Sequence, residues 1–436
     1  MEALGRMRRE AREIFDAALA ASDARAAVLR AIEAEGGSLR VCGDEFKLRG
    51  DSPVKVYAVA LGKAAAAMAS GLEERLGESI QAGVMAAPPS QARLPPRWQV
   101  FEGGHPLPDA GSLSAARAAL ELLRRADDPS SLVVFLVSGG GSAMMEWPRD
   151  ARVTLEDLRE ANRVLVTCGA GIDEVNAVRR AFSAVKGGGL ASAAPKARQV
   201  TLIVSDVDRG EGSAADVASG PTLPPRAAHD APAVVSRYRL APRLPPSILR
   251  AVEEYVPPPD INRRAHSVLL DNLSAIEAAA AAARARGYAV EVGEDIREQE
   301  VSEGASLLVD RLAELRNREG GRVCLVSGGE FACPVRGRGV GGRNSETALR
   351  CAFEFERVRG DMVALCAGTD GVDGNSPAAG ALADTSTLSR ARDAGLDAAR
   401  FLEDSDAFTF FDALGDAVMT GHTGTNVRDL RILLAG

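Results

Sequence analysis

Several short loops of this sequence combine glycine with serine or a positively charged residue, a composition that suits anion binding. Glycine has no Cβ atom, so the backbone can approach an anion closely and aim several N–H groups at it. One such loop is a run of five small residues: Ser138, Gly139, Gly140, Gly141 and Ser142. We expect this run to bind a phosphate or substrate anion, with a plain tight turn as the alternative.

Two lysines in the first half of the chain accompany such glycines. Lys63 follows Gly62 at the expected start of a helix, where a positive charge opposes the helix dipole unless an anion is near. Lys186 precedes three glycines at the expected end of a helix, where a lysine suits the dipole without any ligand. We therefore predict a catalytic role for Lys63 and a phosphate contact for Lys186, whose structural role stays open.

The second half of the chain must use arginine for such contacts, because none of the five lysines follows Lys196. Arg343 lies in a glycine loop before a helical stretch, and its guanidinium stays protonated and donates through a rigid fork. It is therefore a candidate catalytic residue. The neighbouring residues expected to bind phosphate or substrate are Ser327, Gly328, Gly329, Glu330, Gly342, Asn344, Thr425 and Asn426.

Three aspartates lie in or beside these loops. Mg²⁺ takes oxygen ligands and is usually held by one or two carboxylates together with substrate phosphates. Asp370 and Asp373 are the candidate metal ligands, whereas Asp206 is a candidate catalytic residue that holds the metal or takes a hydroxyl proton. A turn-forming role is the alternative for each aspartate.

Polar loops of this kind follow six short apolar runs that are typical of buried strands. The runs lie at 56–61, 132–137, 200–204, 267–270, 323–326 and 362–366. Helical patterns lie between them at 112–126, 154–167, 173–185, 274–286 and 303–318. Thr154 and Asp173 are candidate N-caps. The alternation predicts an α/β fold with mostly parallel sheets flanked by helices, and ligands at the carboxyl ends of the strands.

The length of 436 residues suits two domains, and a proline-rich stretch marks the expected boundary. Proline lacks a backbone donor and resists regular structure. We predict a Rossmann-like N-terminal domain over 1–240, a linker over 241–260 and a C-terminal α/β domain over 261–436. The expected site lies in a cleft between the two domains.

Composition excludes several classes of protein. A formal net charge of −8 gives no broadly basic footprint for nucleic acid. No apolar run is long enough, and free enough of proline and glycine, to suggest a membrane span. The six cysteines form no C-x-x-C pair, so neither a zinc site nor a disulfide framework is expected. We expect a cytoplasmic protein that acts on small molecules and could form a homo-oligomer.

Standard nucleotide-binding motifs are incomplete in this chain. Ala64 follows Lys63 where a P-loop has serine or threonine, and the glycine run reaches Met144 where a dinucleotide fingerprint has glycine. From the residues alone, the loops predict a phosphate-handling α/β enzyme and no particular substrate.

The ordered set of loops resembles class II glycerate kinase, the glycerate 2-kinase family with a MOFRL domain. No single segment is diagnostic, whereas the ordered series is specific and spans most of the chain. The matching segments are LGKAA (61–65), GGHPLPD (103–109), VSGGGSA (137–143), NAVRR with KGGG (176–189), SDV (205–207), ASGPT (218–222), LLDN (269–272), VSGGE (326–330), GGRNSE (341–346), GTDGVDGNSPAAGA (368–381) and TGHTGTNVRDL (420–430).

The resemblance implies an enzyme that transfers the γ-phosphoryl group of ATP to the 2-hydroxyl of D-glycerate, with Mg²⁺, giving 2-phosphoglycerate and ADP. It also implies catalytic or phosphate-contacting roles for Lys63 and Arg343, which the loop chemistry selects independently. Two other functions stay open. One is an NAD(P)H-dependent hydroxypyruvate reductase, and the other is a non-catalytic ligand-binding protein.

Overall fold

A computed structural model describes residues 2–50, 52–90, 93–207, 213–224, 229–257 and 264–436. Its strands are β1 (Ile32–Glu35), β2 (Ser38–Val41), β3 (Asp44–Lys47), β4 (Lys55–Leu61), β5 (Ile80–Ala87), β6 (Trp98–Glu102), β7 (Ser131–Ser138), β8 (Arg198–Val204), β9 (Arg264–Leu270), β10 (Ala289–Val292), β11 (Val323–Gly329), β12 (Met362–Gly368), β13 (Gly380–Asp384), β14 (Ala417–Val418) and β15 (Asp429–Ala435). Its α-helices are α1 (Glu2–Ala21), α2 (Ala24–Ala31), α3 (Ala65–Leu76), α4 (Ala110–Arg125), α5 (Gly141–Met144), α6 (Leu155–Val166), α7 (Ile172–Phe182), α8 (Ala231–Arg237), α9 (Pro246–Glu253), α10 (Asn272–Ala285), α11 (Val301–Glu319), α12 (Arg343–Phe355), α13 (Thr387–Asp393), α14 (Ala398–Glu403) and α15 (Ala407–Ala413). Within these ranges, no helix is both long and apolar enough to cross a membrane.

The elements form two compact units. Ala24–Leu269 make up the large unit, and Met1–Asp23 with Leu270–Gly436 make up the small unit. The large unit holds a six-stranded sheet in the order β6-β5-β4-β7-β8-β9, besides the antiparallel sheet β1-β2-β3. Strands β4 to β8 pair in parallel wherever they are neighbours. The mostly buried, largely apolar sequences of β4, β5, β7 and β8 fit burial on both faces of the sheet. The parallel sheet predicted for this part of the chain is therefore confirmed.

The proline-rich stretch forms a packed helix instead of the expected linker. Residues 241–257 belong to the large unit. Pro245 is the N-cap of α9 and Pro246 its first residue, where proline's fixed φ favours a helix and its missing N–H costs no hydrogen bond. Ile248 is completely buried in a cluster with residues of α6, α7 and α8. Residues 258–260 of the expected linker lie outside the described residues.

The small unit has a mixed sheet in the order β10-β11-β15-β12-β13-β14. Only β10 and β11 pair in parallel, whereas β15 runs antiparallel between β11 and β12. The α/β class is therefore confirmed, but the mostly parallel arrangement holds in the large unit alone. The difference arises because the last strand of the chain inserts between two strands that are parallel to each other.

The first helix packs in the small unit, although it begins the chain. Ile14 and Phe15 of α1 are completely buried, and the helix lies against α10, β12 and β15. Arg8 forms ion pairs with the buried carboxylates of Asp384 and Asp416. The expected boundaries at residues 1 and 240 therefore differ from the observed ones, and the expected interdomain cleft stays a prediction.

The predicted N-caps have different outcomes. Thr154 forms a capping box with Asp157 at the start of α6, as predicted. Asp173 lies in the first turn of α7, whose N-cap is Gly171, so the cap predicted at Asp173 is wrong.

Candidate active site

The loops after β4 and β7 lie side by side at the carboxyl edge of the large unit's sheet, because these strands are adjacent and parallel. The Lys63 N–H donates to the Gly139 carbonyl at 2.9 Å, and the Ala64 N–H donates to Ser138 Oγ at 3.0 Å. Gly62 has a φ of 110°, and a Cβ there would lie 2.4 Å from the Ser138 carbonyl oxygen. Glycine permits this approach, which brings Lys63 to the predicted anion-binding run.

The predicted anion-binding run spans three local structures. Ser138 ends β7, and its buried hydroxyl donates to the Leu61 carbonyl at 3.3 Å. Gly140 has a left-handed φ of 79° and caps α5, which starts with Gly141 and Ser142. The Ser138 side chain therefore holds two loops together, and anion binding by the backbone of the run stays a prediction.

Asp206 and His105 join the same cluster. Asp206 follows β8, the strand beside β7, and its Oδ2 lies 1.7 Å from the position that a Cβ at Gly139 would take. The His105 ring and the Lys63 side chain lie 3.1 and 3.4 Å from the corresponding Cβ position at Gly140. The structure therefore brings Lys63, His105 and Asp206 together around two glycines.

Lys186 lies inside the large unit instead of facing a ligand. Its side chain is 1% exposed and pairs with Glu146, which is completely buried. Glu146 also accepts hydrogen bonds from Ser183 Oγ at 2.5 Å and from the Trp147 N–H at 2.9 Å. Burial lowers the pKa of Lys186, although Glu146 opposes this effect. An internal ion pair thus takes the place of the phosphate contact predicted for Lys186.

The small unit gathers polar residues around the start of β15. Asp429, the first residue of β15, lies in register between Gly329 at the end of β11 and Gly368 at the end of β12. Because β15 is antiparallel to both neighbours, its beginning lies beside their ends. The loops that carry Glu330 and Asp370 therefore meet at one sheet edge, with Asp429 between them.

Arg343 is held at this edge by two carboxylates. Its Nε donates to Asp429 Oδ2 at 2.5 Å, and its Nη2 donates to Asp429 Oδ1 at 3.2 Å. The same Nη2 lies 2.9 Å from Oε1 of Glu330. Burial alone would lower the pKa of Arg343, but Asp429, Glu330 and Asp373 outweigh it and raise the pKa. About a third of the Arg343 side chain stays exposed, so this oriented side chain is partly accessible to a ligand.

Asp370 and Asp429 form a pair of carboxylates beside Gly368. A Cβ at Gly368 would lie 3.2 Å from Asp370 Oδ1 and 3.4 Å from Asp429 Oδ1. Both oxygens therefore lie near this glycine at the sheet edge, and carboxylate oxygens are the donors that Mg²⁺ prefers. In the part of the chain that the structure describes, no three His, Cys, Asp or Glu side chains form a group that could hold a metal by themselves.

Asp373 caps α12, in contrast to its predicted role as a metal ligand. Its Oδ1 accepts the Asn344 N–H at 2.9 Å, and its Oδ2 accepts the Ser345 N–H and hydroxyl at 2.8 and 2.6 Å. A Cβ at Gly342 would lie 2.3 Å from Asp373 Oδ1, so this glycine is needed for the close approach. Burial raises the pKa of Asp373 to about 6, although the three hydrogen bonds oppose the shift. Asn344 and Gly342 thus shape the helix start through their backbones.

Ser327, Gly328 and Gly329 form the buried end of β11 instead of an open loop. Ser327 Oγ donates to a backbone carbonyl at 2.6 Å and accepts a hydrogen bond from Arg431 at 3.0 Å. The Gly329 N–H donates to Asn272 Oδ1 at 2.9 Å, and the Gly328 carbonyl accepts from Arg431. These groups are used inside the small unit, in contrast to the predicted phosphate contacts.

The loop before β15 fixes Thr425 and Asn426 against the loop after β12. Thr369 Oγ1 donates to the Arg428 carbonyl at 2.7 Å and accepts the Val427 N–H at 2.9 Å. Thr425 and Asn426 are both buried. Among the described residues, the Thr425 hydroxyl oxygen has no hydrogen-bond partner. Because an unsatisfied buried hydroxyl is unfavourable, ligand contact by Thr425 stays a reasonable prediction.

A cavity of about 420 Å³ opens in the small unit beside the start of α12. Its lining includes Gly342, Arg343, Phe331 and Val335. Glu346, one turn into α12, also lines the cavity and is 2% exposed. An apolar wall and a charged group thus adjoin the predicted arginine.

Sequence reasoning missed three residues of these clusters. His105 belongs to the GGHPLPD segment, where a histidine after two glycines was its signal. Asp429 opens an otherwise apolar run at the end of the chain, and Glu346 follows the GGRN segment. For Asp429, the available signal was a charged residue directly before the apolar run of a strand.

Parallel strands that end in loops rich in glycine and charged residues define an α/β enzyme that handles small anionic substrates. Residues 10–253 match the domain of unknown function DUF4147, and residues 323–429 match the MOFRL family. Relatives named D-glycerate 2-kinase and glycerate 2-kinase are 35% and 34% identical to this chain over 87% and 96% of its length, so the chain belongs to the glycerate 2-kinase family with a MOFRL domain. The predicted family resemblance is therefore confirmed.

The relatives cover nearly the whole chain. A D-glycerate 2-kinase of Thermotoga maritima is 35% identical over 386 residues, 87% of this chain and 90% of that protein. A putative hydroxypyruvate reductase of Agrobacterium vitis is 35% identical over 433 residues, 98% of this chain and 94% of that protein. The crystal structure of a Thermotoga maritima glycerate kinase matches with a TM-score of 0.84 and 30% identity, covering 99% of this chain and 100% of that one.

Proposed function

We propose that this protein is a D-glycerate 2-kinase, which transfers the γ-phosphoryl group of ATP to the 2-hydroxyl of D-glycerate. The observation that carries the proposal is the partly exposed Arg343 side chain, whose guanidinium is held by Asp429 and Glu330. It occupies the position at which the family resemblance implies a phosphate-contacting residue. A bidentate hold on a carboxylate orients the guanidinium before substrate arrives.

Phosphoryl transfer depends mainly on positioning and on stabilising charge, so fixed cations are the main protein contribution. The 2-hydroxyl oxygen forms the new bond to phosphorus, the bond from phosphorus to the β-phosphate oxygen breaks, and the hydroxyl proton leaves. Arg343 stabilises charge on the transferring group, and Lys63 binds that group or the glycerate carboxylate. Asp206, in the Lys63 cluster, is the candidate acceptor of the proton.

The carboxylates of Asp370 and Asp429 fit Mg²⁺ in chemical type and in their shared approach to Gly368. Asp373, the other predicted ligand, is a weaker candidate because its two oxygens accept three hydrogen bonds from the start of α12. Asp429 would bind the metal through oxygens that also accept hydrogen bonds from Arg343. When bound, Mg²⁺ would neutralise phosphate charge. Thr425 is the candidate donor or acceptor to a substrate oxygen, since its buried hydroxyl has no partner among the described residues.

A coupled assay of ADP formation tests this proposal. We expect ADP only when MgATP and D-glycerate are both present, with little formation from L-glycerate. ADP formation that ignores D-glycerate would contradict the kinase assignment.

A hydroxypyruvate reductase is the second candidate, because two relatives carry that name. The helix after the glycine run has only four residues, Gly141–Met144, whereas dinucleotide folds place the pyrophosphate at the start of a full helix. This geometry disfavours a nicotinamide cofactor at the run. Oxidation of NADPH or NADH by hydroxypyruvate would favour the reductase.

A further inference from the structure

We propose that the cavity beside Arg343 binds the nucleoside part of ATP, which places the nucleotide in the small unit. This inference rests on the proposed kinase function and adds where its nucleotide lies. The cavity measures about 420 Å³, within the range of about 300–1,000 Å³ typical of sites that enclose small ligands.

The walls of the cavity combine apolar and polar surface, as a base with a sugar requires. Phe331, Val335 and Ala407 supply the apolar part. Gly341 and Gly342 add backbone to the lining. D-Glycerate is a three-carbon polyol acid with little apolar surface, so it would leave the apolar walls without a partner.

The charges around the cavity suit a ligand with a polyphosphate. Glu346 is the acidic residue of the lining, but its carboxylate accepts hydrogen bonds from Arg336 at 2.9 Å and from Arg350 at 2.7 Å. Two guanidinium groups thus offset one carboxylate at this wall. Repulsion of phosphate by Glu346 is therefore reduced.

The position of Arg343 indicates how a nucleotide would be oriented in the cavity. It lines the cavity and also contacts Asp429 at the sheet edge, where Asp370 is the second carboxylate. A nucleoside in the cavity would therefore extend its phosphates towards Arg343 and the carboxylate pair. This is the order that transfer of a terminal phosphoryl group requires.

A second cavity of about 370 Å³ in the small unit fits a nucleotide less well. Its lining includes Asp397, Asp404 and Asp406 against a single arginine, Arg400. Arg343 and the glycines before it are not part of this lining, so the phosphates of a ligand there would lack the contact with Arg343 on which transfer depends.

Tryptophan reporters test the placement in the full-length protein. Both natural tryptophans, Trp98 and Trp147, lie in the large unit. Val335 is 82% exposed at the cavity, so V335W adds a reporter there with little effect on packing. Leu307, 38% exposed on α11 of the same unit, gives the matched control L307W. We expect MgADP to change the fluorescence of V335W, and D-glycerate alone to leave it unchanged, with L307W unresponsive to both.

Glutamate variants at the same positions test affinity. V335E should raise the Kd for MgADP, measured by calorimetry, by about tenfold, since it places a carboxylate against the base and phosphates. Its KM for D-glycerate should stay near the wild-type value, and L307E should resemble the wild type in both. If MgADP leaves the fluorescence of V335W unchanged and V335E binds MgADP as tightly as the wild type, the nucleotide does not bind in this cavity. The lack of any MgADP binding to the wild type would also overturn the proposal.

The two proposals fail in different ways. If the wild type forms ADP in a D-glycerate-dependent manner while both Val335 variants behave as the controls, only the nucleotide site is wrong. If V335W responds to MgADP but no D-glycerate-dependent ADP forms, the cavity is a nucleotide site and the kinase substrate is wrong.

Discussion

Arg343 and Asp429 come from elements 86 residues apart and share two hydrogen bonds, from Nε to Oδ2 at 2.5 Å and from Nη2 to Oδ1 at 3.2 Å. Asp429 is 1% exposed, whereas about a third of the Arg343 side chain is open. The buried carboxylate thus fixes the orientation of an accessible guanidinium. This arrangement makes Asp429 a positioning residue for Arg343, besides its candidate role towards Mg²⁺.

Replacing Asp429 should therefore impair turnover more than it impairs substrate binding. Asp429→Asn keeps the shape of the side chain but removes the charge that holds Arg343, and misplacing a catalytic group can lower kcat by about 100-fold. Steady-state kinetics should give a large fall in kcat with a smaller change in KM for D-glycerate. Asp393→Asn, at an exposed position of α13, is the matched control. An unchanged kcat in Asp429→Asn would contradict the positioning role.

Lys63 should be needed for catalysis. Lys63→Ala removes a cation next to the glycine run, and the loss of one fixed group that stabilises transition-state charge typically lowers kcat on the order of 100-fold. The exposed Lys55, at the start of β4, provides the control Lys55→Ala, which should keep normal kinetics. Full activity of Lys63→Ala would remove Lys63 from the proposed mechanism.

Lys186 should matter for stability and not for phosphate binding. Lys186→Met leaves Glu146 as an unpaired buried carboxylate, which should lower the free energy of unfolding by about 3–5 kcal/mol. The double variant Glu146→Gln/Lys186→Met removes both charges and keeps an acceptor for the Trp147 N–H. Urea unfolding should show that the double variant recovers most of the loss, and its kcat should be near normal. A double variant that is stable but inactive would support the predicted phosphate contact of Lys186.

Asp373 should give stability a particular dependence on pH. Its pKa is raised from 3.8 to about 6 by burial, so the folded state binds a proton more tightly than the unfolded state. Its contribution is fully present below about pH 4 and is lost as pH rises through about 6, a change of about 3 kcal/mol.

Asp373→Asn, which cannot titrate, measures this contribution. We expect the unfolding free energy of the wild type, minus that of Asp373→Asn, to fall between about pH 4 and pH 6 and to level off above. Urea titrations of both proteins across this range provide the difference. A difference that rises with pH would mean that the hydrogen bonds from α12 outweigh burial.

Four strands of the large unit, β4, β7, β8 and β9, could be predicted from local patterns because each contains an apolar run followed by a polar loop, whereas β1, β2, β3, β5 and β6 were not predicted. The contact between Lys63 and Gly139 follows directly from adjacent parallel strands. In the small unit, β15 was not predicted because Asp429 and Arg431 interrupt its short apolar run, so the sequence does not look like a buried strand. Its position between β11 and β12 depends on pairing with residues 100 to 112 positions earlier in β11 and 61 to 73 positions earlier in β12, which local periodicity does not encode.

The site was predicted in part for the same reason. The composition of a glycine and lysine loop is enough to suggest anion binding. Local sequence does not show whether a charged residue forms an ion pair or a hydrogen bond with a residue distant in the chain. Lys186 pairs with Glu146, 40 residues away, and Asp373 caps a helix that starts 30 residues earlier. The assignment of α1 to the small unit likewise depends on tertiary contacts such as those of Arg8.

The central claim is the phosphorylation of D-glycerate at its 2-hydroxyl, and NMR of the reaction product tests it most directly. Purified protein should convert MgATP and D-glycerate to ADP and 2-phosphoglycerate, identified by coupling between phosphorus and the proton on C2. Formation of 3-phosphoglycerate would contradict the regiochemistry. The absence of any phosphorylated glycerate would contradict the kinase itself.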